Sequence, residues 1–427
     1  MIKKSTLIFI FILFPIFLHS NDKILLPEIG EREPIMQPIG GYNAQGNSYP
    51  DPYTNDEIIL TINKNNYLDY ADTILTTGQI EMFNLYPETF KMHIYPSRRS
   101  CSVPVEVLQL TKGNATLVDD GEGVDGIVGS IPFPEPTEAL HHVWNHILRY
   151  RGVDIYGSSP FFIVNPDGSR TYGAGEAIAR NYWNPFLRSE KGLQGVLMSK
   201  VTHPPRLADA SLLVIESLNA LKTPRRAWAY NPGTRRVRRA PDIAYDYKPS
   251  ANQGLTTADQ FDGFNGAKDR YDWNFIGTQK KLMPYNAYKF HEAQIEEILT
   301  PFHVNQEYLR YELVNVNVVE AKLKPGKRHI IPHRTMYFDI DSHNMLMEET
   351  FDDNSEIMAY REFPIINFYD QPYNKNGEVV INIKFVKSKI CAYYNYSNSE
   401  NSYENLPTSD FTNYKFEIDS ENLLSVG

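Results

Sequence analysis

Cysteine is almost absent: only Cys101 and Cys391 occur in 427 residues. That excludes a disulfide framework and a thiolate metal site. A single Cys101–Cys391 bridge, closing a very long loop, stays open beside two separate, partly buried thiols. Hydrophobic runs able to span a bilayer are missing as well. The longest, Leu7 to Leu18, is interrupted by Pro15 and falls well short of the roughly 20 residues a spanning helix needs. Positive charge is in deficit, with 42 Lys and Arg against 52 Asp and Glu and a formal net charge of −10. A general nucleic-acid binder needs a basic face, so this balance argues against one. No P-loop, G-x-S-x-G elbow, Gly-rich dinucleotide turn or C-x-x-C is present, which weakens an enzymatic reading.

What is present begins with a targeting pattern. Lys3 and Lys4 precede the apolar run, and His19-Ser20 then Asn21 offer a small residue at a cut. Residues 1–20 therefore read as a cleavable signal peptide, and the chain is expected in the periplasm of a Gram-negative envelope. With Cys101 the first cysteine, no lipoprotein anchor is expected at that cut.

Aromatic content is high, with 28 Tyr, 22 Phe and 4 Trp. Such residues favour half-buried pleated surfaces and amphipathic contact areas. Residues 21–60 are rich in Pro, Gly, Asn and Glu and read as an extended arm. Residues 61–394 read as one β-rich domain, and 395–427 as a polar, acidic tail. Within the domain, helices are expected at Tyr67 to Tyr86, with Gly78 weakening its middle, and at Thr137 to Arg151. In the second, Leu140, Val143, Trp144, Ile147 and Leu148 follow the spacing of one buried face, with Thr137 as its cap.

From about Phe161 onward, apolar stretches alternate with turns. Strands are expected at Gly195–Val201, Ala210–Ser217, Arg226–Tyr230, Arg235–Ala240, Tyr308–Leu323, His329–Asp339, Met345–Phe351, Ile357–Phe363 and Val379–Val386, and shorter ones at Glu57–Ile62, Met92–Tyr95 and Val103–Leu110. Asn231-Pro232-Gly233-Thr234 and Lys324-Pro325-Gly326-Lys327 are tight turns with Pro then Gly at the centre. Strands joined this way form an antiparallel meander, and many of them imply a curved or closed sheet.

Several blocks resemble the family called domain of unknown function 1329. They include Leu75-Thr76-Thr77-Gly78-Gln79, Trp144-Asn145-His146, Trp228-Ala229-Tyr230-Asn231-Pro232-Gly233-Thr234, Asp259-Gln260-Phe261-Asp262-Gly263-Phe264-Asn265-Gly266, Asp269-Arg270-Tyr271-Asp272-Trp273 and Pro284-Tyr285-Asn286. That family is similar to LolA/LolB-type carriers of outer-membrane lipoproteins. The resemblance implies a mainly β (α+β) fold: a large curved antiparallel sheet, a half-barrel, with helices over its concave face and an apolar pocket between. It also implies lipoprotein sorting or outer-membrane biogenesis, in association with an export pump of the resistance-nodulation-division (RND) type. It carries no catalytic residues. The region after Phe363 departs from the family's usual ending.

The residues chosen as candidates for a ligand-binding rim and pocket are Trp228, Tyr230, Arg236, Phe261, Phe264 and Tyr285. Arg225, Arg226, Arg235, Arg238 and Arg239, with Lys222, form a local basic patch suited to lipid headgroups, an acidic partner or transient contact with a membrane surface. Its bland counterpart is a solvated outer face. Three other clusters have weaker claims. His142 and His146 sit one turn apart on the polar face of their helix, without the further ligands zinc needs. His329, His333 and His343 lie near Asp339 and Asp341. Asp119 to Asp125 lacks the alternate acidic spacing of a calcium loop and reads as a Gly-rich turn. The stretch Gln260 to Trp273 reads as a structured loop held by Asx-type turns and aromatic packing. No metal and no cofactor is expected. The favoured function is a carrier or chaperone for a lipophilic molecule or acyl chain. The alternatives are a non-catalytic envelope scaffold, and a hydrolase centred on the His329–His343 region.

Overall fold

A computed structural model describes residues 51–98, 100–101, 113–128, 131–151, 154–181, 192–240, 245–248, 253–369, 373–383 and 391–394. The signal segment, most of the arm, the strand expected at Val103–Leu110, the tail and the Cys391 side chain lie outside the described residues.

The meanders foreseen from the turn residues join into one continuous antiparallel surface. In chain order the strands are β1 (Leu60–Ile62), β2 (Met92–Ile94), β3 (Thr116–Val118), β4 (Gly123–Asp125), β5 (Asp154–Val164), β6 (Arg170–Asn181), β7 (Leu193–His203), β8 (Ser211–Ser217), β9 (Arg226–Asn231), β10 (Arg236–Arg239), β11 (Tyr271–Pro284), β12 (Tyr311–Leu323), β13 (His333–Asp339), β14 (Met345–Phe351), β15 (Ile357–Glu362), β16 (Ile365–Phe368), β17 (Tyr373–Asn376), β18 (Glu378–Asn382) and β19 (Cys391–Tyr394). β3 with β4, and β16 with β17, make separate small hairpins. The main sheet runs β11-β12-β13-β14-β15-β18-β19-β5-β6-β7-β8-β9-β10, and β1 and β2 attach at the start of β12. It curls as a half-barrel.

The strand β19 is the splice. It pairs with β18 on one side and β5 on the other, so Cys391 sits between Ile381 and Val164. Two meanders that are far apart in sequence thus become one sheet.

Because side chains alternate along a strand, the register sorts residues onto two faces. On one face lie Val318, Tyr337, Met347, Val379 and Phe162, joined there by helix α1 (Thr77–Leu85) through Met82 and Phe83. On the other face lie Val319, Met336 and Ala321, packed with Val143, Trp144, Ile147 and Leu148 of helix α2 (Ala139–Leu148).

Local chemistry explains where the helices depart from expectation. The Tyr67–Tyr86 stretch divides into a 3-10 turn, Tyr67–Asp69, and α1. The division comes at Thr76, whose side chain accepts from Gln79 N while Gln79 Oε1 accepts from Thr76 N, a capping box that starts a new helix. Gly78 is therefore in the first turn, not the middle. A Cβ there would lie 2.4 Å from the Tyr360 ring, so its small size lets α1 approach β15. The start of α2 is Ala139 after Glu138, not Thr137, with His141 Nδ1 accepting from the backbone N–H of Thr137 at 3.2 Å. The face carrying His142 and His146, expected to be polar and solvated, is buried as well.

Three further differences matter for the site. The end of the expected arm is built into the domain: Tyr53 is buried against Tyr288, and Asp56 pairs with Arg98 and Arg310. Tyr271–Pro284, where a loop was expected at its start, is the long strand β11, bulged between Phe275 and Gly277. In the β9–β10 hairpin the left-handed residue is Arg235 (φ 51°), whereas the matching Pro-Gly turn at 324–327 has Gly326 at φ 82° as expected.

Candidate functional site

The section of sheet from β6 to β10 carries an apolar strip that no described helix joins. Ile178, Met198, Leu213 and Trp228 lie in one row across β6 to β9, with Arg239 of β10 at its end. The next row is Arg180, Val196, Ile215 and Arg226. On the other flank run Glu176, Lys200, Ser211, Tyr230 and Val237. Leu213 and Trp228 are buried at the centre, while Leu193, Met198, Ile215, Tyr230 and Val237 remain half-buried around them. Every member of this cluster is a strand residue. The strip lies on the same sheet face as α1, further along toward β10. Its chemistry is that of an amphipathic contact surface: apolar in the middle, with Arg226 and Arg239 on its border.

The sequence-selected residues do not converge. Trp228 and Tyr230 belong to this strip. Arg236 is exposed on the hairpin's opposite face, since Val237 and Arg239 take the strip side. Phe261, 43% exposed, borders a cavity of about 70 Å³ between the end of α2 and strands β6 to β8. That space is far below the several hundred Å³ of a ligand pocket. Phe264 is buried under the Arg334 guanidinium and edge-on to Trp273. Tyr285 is buried beside α1's core and donates to Asp339 Oδ2 at 2.9 Å. The basic patch likewise divides. Arg235, Arg236, Arg238 and Arg239 are exposed, but Arg225 turns inward to Glu216 at 2.6 Å and to the carbonyl of Asn265 at 3.0 Å.

The loop of residues 257–268 is a clamp. Asp259 pairs with Arg334, Arg334 with Glu348, Glu348 with Arg361 and Arg361 with Glu378, all buried. Arg361 also donates to the carbonyls of Gln260 (2.8 Å) and Gly263 (3.2 Å). Burial pushes the Asp259 carboxyl up, but Arg334, His329 and the Thr257 hydroxyl together outweigh it and hold the group down at about 2. Asp262 is lowered further still against its burial by Arg149 and Arg151. Removing one member of such a chain strands its partner's charge without water. The Asp-rich motif therefore fastens a loop to the sheet, alongside the edge-on packing of Phe264 on Trp273. Nothing in the sequence pointed to Arg334, Glu348 and Arg361 as its anchors, because they arrive from strands about 75 to 100 residues downstream.

The histidines also disperse. His146 donates from Nε2 to the carbonyl of Asp262 at 2.7 Å and accepts at Nδ1 from Met345 N at 3.1 Å. Burial, helped by Arg149, pushes its pKa down to about 3. His329 lies 3.3 Å from Asp259, His333 lies 2.9 Å from Glu320, and His343 is half-buried near Arg149. Among the described residues no group of three or more His, Cys, Asp or Glu could hold a metal ion. The acidic run forms the β3–β4 turn, with Asp119, Asp120 and Gly121 at positive φ. Glu122 accepts there from the backbone N–H groups of Lys268 (2.6 Å) and Asp269 (2.9 Å).

Comparison with known proteins follows the same blocks. Residues 61–419 match the model of a family described as "protein of unknown function (DUF1329)". An uncharacterised protein of Pseudomonas aeruginosa is 38% identical over 329 residues, covering 75% of this chain and 72% of that one. Among solved structures, a domain named for outer membrane lipoprotein sorting in Vibrio parahaemolyticus is 12% identical, with TM-score 0.43, covering 65% of this chain and 98% of that one. A DUF1329 family protein from Desulfovibrio piger is 12% identical, with TM-score 0.40, covering 62% of this chain and 91% of that one. A LolA superfamily protein from Nitrosomonas europaea is 8% identical, with TM-score 0.37, covering 61% and 92%.

Proposed function

The chain belongs to the DUF1329 family, and from that premise we propose that it is a carrier for an amphiphile with an acyl chain and an anionic head. The observation that supports this is the strip around Leu213 and Trp228: apolar, with half-buried margins around a buried centre, and bordered by arginines on its own face. The acyl chain lies along the row Ile178–Met198–Leu213–Trp228, and the head meets Arg226 and Arg239. Each methylene withdrawn from water contributes about 0.8 kcal/mol, so a long chain is held without any catalytic group. Work in the periplasm, alongside an RND-type envelope exporter or an outer-membrane partner, belongs to the same proposal. The hydrolase reading loses support, because His329 and His333 face two separate carboxylates, Asp259 and Glu320, and His343 lies beside Arg149 instead of joining them.

The test is native mass spectrometry of protein purified without detergent from its own envelope, with lipid extraction alongside. A discrete lipophilic adduct is expected, lost in Met198→Glu and in Ile215→Glu while circular dichroism is unchanged. A clean unliganded mass, together with no uptake of a hydrophobic probe, would sink the carrier reading. It would leave the non-catalytic scaffold.

A further inference from the structure

A second concavity, on the opposite side of the β8–β9 region, has different chemistry. It measures about 560 Å³ and lies between residues 220–225, the 3-10 turn Lys268–Arg270 and the Pro-Gly turn at 325–328. Its wall includes Ala227, whose side chain alternates with that of Trp228 and so points away from the apolar strip. The lining carries four cations, Arg225, Arg270, Lys327 and Arg328, against the carboxylates Glu122 and Asp269.

The pairing decides which charges are left. Arg225 is matched by Glu216 at 2.6 Å, and Lys327 by Asp269 at 2.8 Å. Glu122 is occupied by two backbone N–H groups, beside the buried Lys268. Arg270 and Arg328 face no carboxylate within ion-pair distance among the described residues, and both line the cleft. Arg270 is held in place, because its Nη1 donates to the Arg328 carbonyl at 3.0 Å. Tyr245 fixes the floor, with the Arg225 guanidinium 4.5 Å and that of Arg270 5.7 Å from its ring centroid. The Nε of Arg225, itself a buried atom, has no hydrogen-bond partner among the described residues. Two uncompensated guanidinium groups and a spare N–H, gathered in a cleft of ligand size on a chain of net charge −10, are the donor set a phosphate group takes.

We propose that this cleft binds a phosphate ester, with Arg270 and Arg328 as its anion-holding residues. The shared chemistry is the phosphate, supplied by a free soluble ester or by a phospholipid headgroup. The site is separate from the apolar strip, and its occupancy does not depend on the carrier reading.

Isothermal titration of the full protein at low ionic strength, with inorganic phosphate and with glycerol 3-phosphate, tests the soluble source. Flotation with phosphatidylglycerol vesicles, against phosphatidylcholine vesicles, tests the headgroup. The double variant Arg270→Gln/Arg328→Gln is expected to lower affinity at least tenfold for whichever probe binds, with an unchanged melting temperature. Arg236→Gln/Arg238→Gln, which removes the same charge from the exposed hairpin, is expected to leave affinity within twofold. Binding of a soluble probe that follows this pattern establishes a free ester, and vesicle binding alone establishes a headgroup. No binding of any probe overturns the proposal. So does affinity retained in the Arg270/Arg328 variant, or lost equally in the hairpin variant.

Discussion

Glu362 faces the core beneath α1 with no ion-pair partner among the described residues. Its carboxylate accepts from the hydroxyls of Tyr311 and Tyr360, and burial, only partly offset by those donors, pushes its pKa from 4.5 up to about 7. The folded protein then holds a proton that the unfolded chain releases. Stability from this group is greatest in acid and falls as pH rises from about 4.5 to about 7, by on the order of 3 kcal/mol. Glu362→Gln keeps the two tyrosine contacts and removes the ionisation. Its melting temperature is expected to exceed that of the parent at pH 8 and to match it at pH 4.5. Equal melting temperatures at both pH values would show that the carboxyl ionises at no cost. A sequence reader has no access to this group, since Tyr-Arg-Glu on a strand reads as surface alternation. Only the second helical layer on that face makes its burial intelligible.

Elements were legible where the chain advertised them. The strands from Gly195 to Phe363 stand close to their expected bounds because Pro, Gly, Asn and Asp mark their ends. β11 was missed because its alternation, Tyr271, Trp273 and Phe275 against Asp272 and Asn274, reads equally as aromatic packing in a loop and breaks at the bulge between Phe275 and Gly277. Helix α2 announced its buried stripe but concealed the burial of its histidines, His146 bonding to the β14 backbone and the Asp262 carbonyl and His142 packing on Phe275. Gly78 shows the same limit. Its helix cost is visible in sequence, and its purpose is not. Gly78→Ala improves helix propensity by about 1 kcal/mol, yet its methyl would meet the Tyr360 ring. A net loss of about 1–3 kcal/mol is expected in chemical denaturation. A variant more stable than the parent would show that α1 can lift away from β15 freely.

For the molecule as a whole, acid should act first on the α2 side. His142 and His343 are held near 4 and His146 near 3, chiefly by burial. Groups depressed this way stabilise the fold fully above about 6.5, and that contribution is lost as pH falls toward their folded values. Protonated His146 could no longer accept from Met345 N. Hydrogen exchange at pH 5 against pH 7.5 is expected to show faster exchange in α2 than in α1. The reverse order would place the acid-sensitive layer elsewhere. The candidate site was only partly legible at this scale. Trp228 and Tyr230 share one sheet face, whereas Phe264 and Tyr285, picked by residue type, are buried in two other places, since aromatic residues serve interiors as readily as rims.

The splice made by β19 has a consequence for how the molecule comes into being. During synthesis β5 through β10 are complete while Val164 still lacks its neighbour Cys391, so one margin of that sheet stays open until nearly the whole chain exists. An open margin is a template for another copy of the same strand, and a pairing of such sequence distance forms slowly. The nascent protein therefore passes through a stage at which an intermolecular mate can compete with its own late strand, and whatever shields that margin decides the yield of monomer.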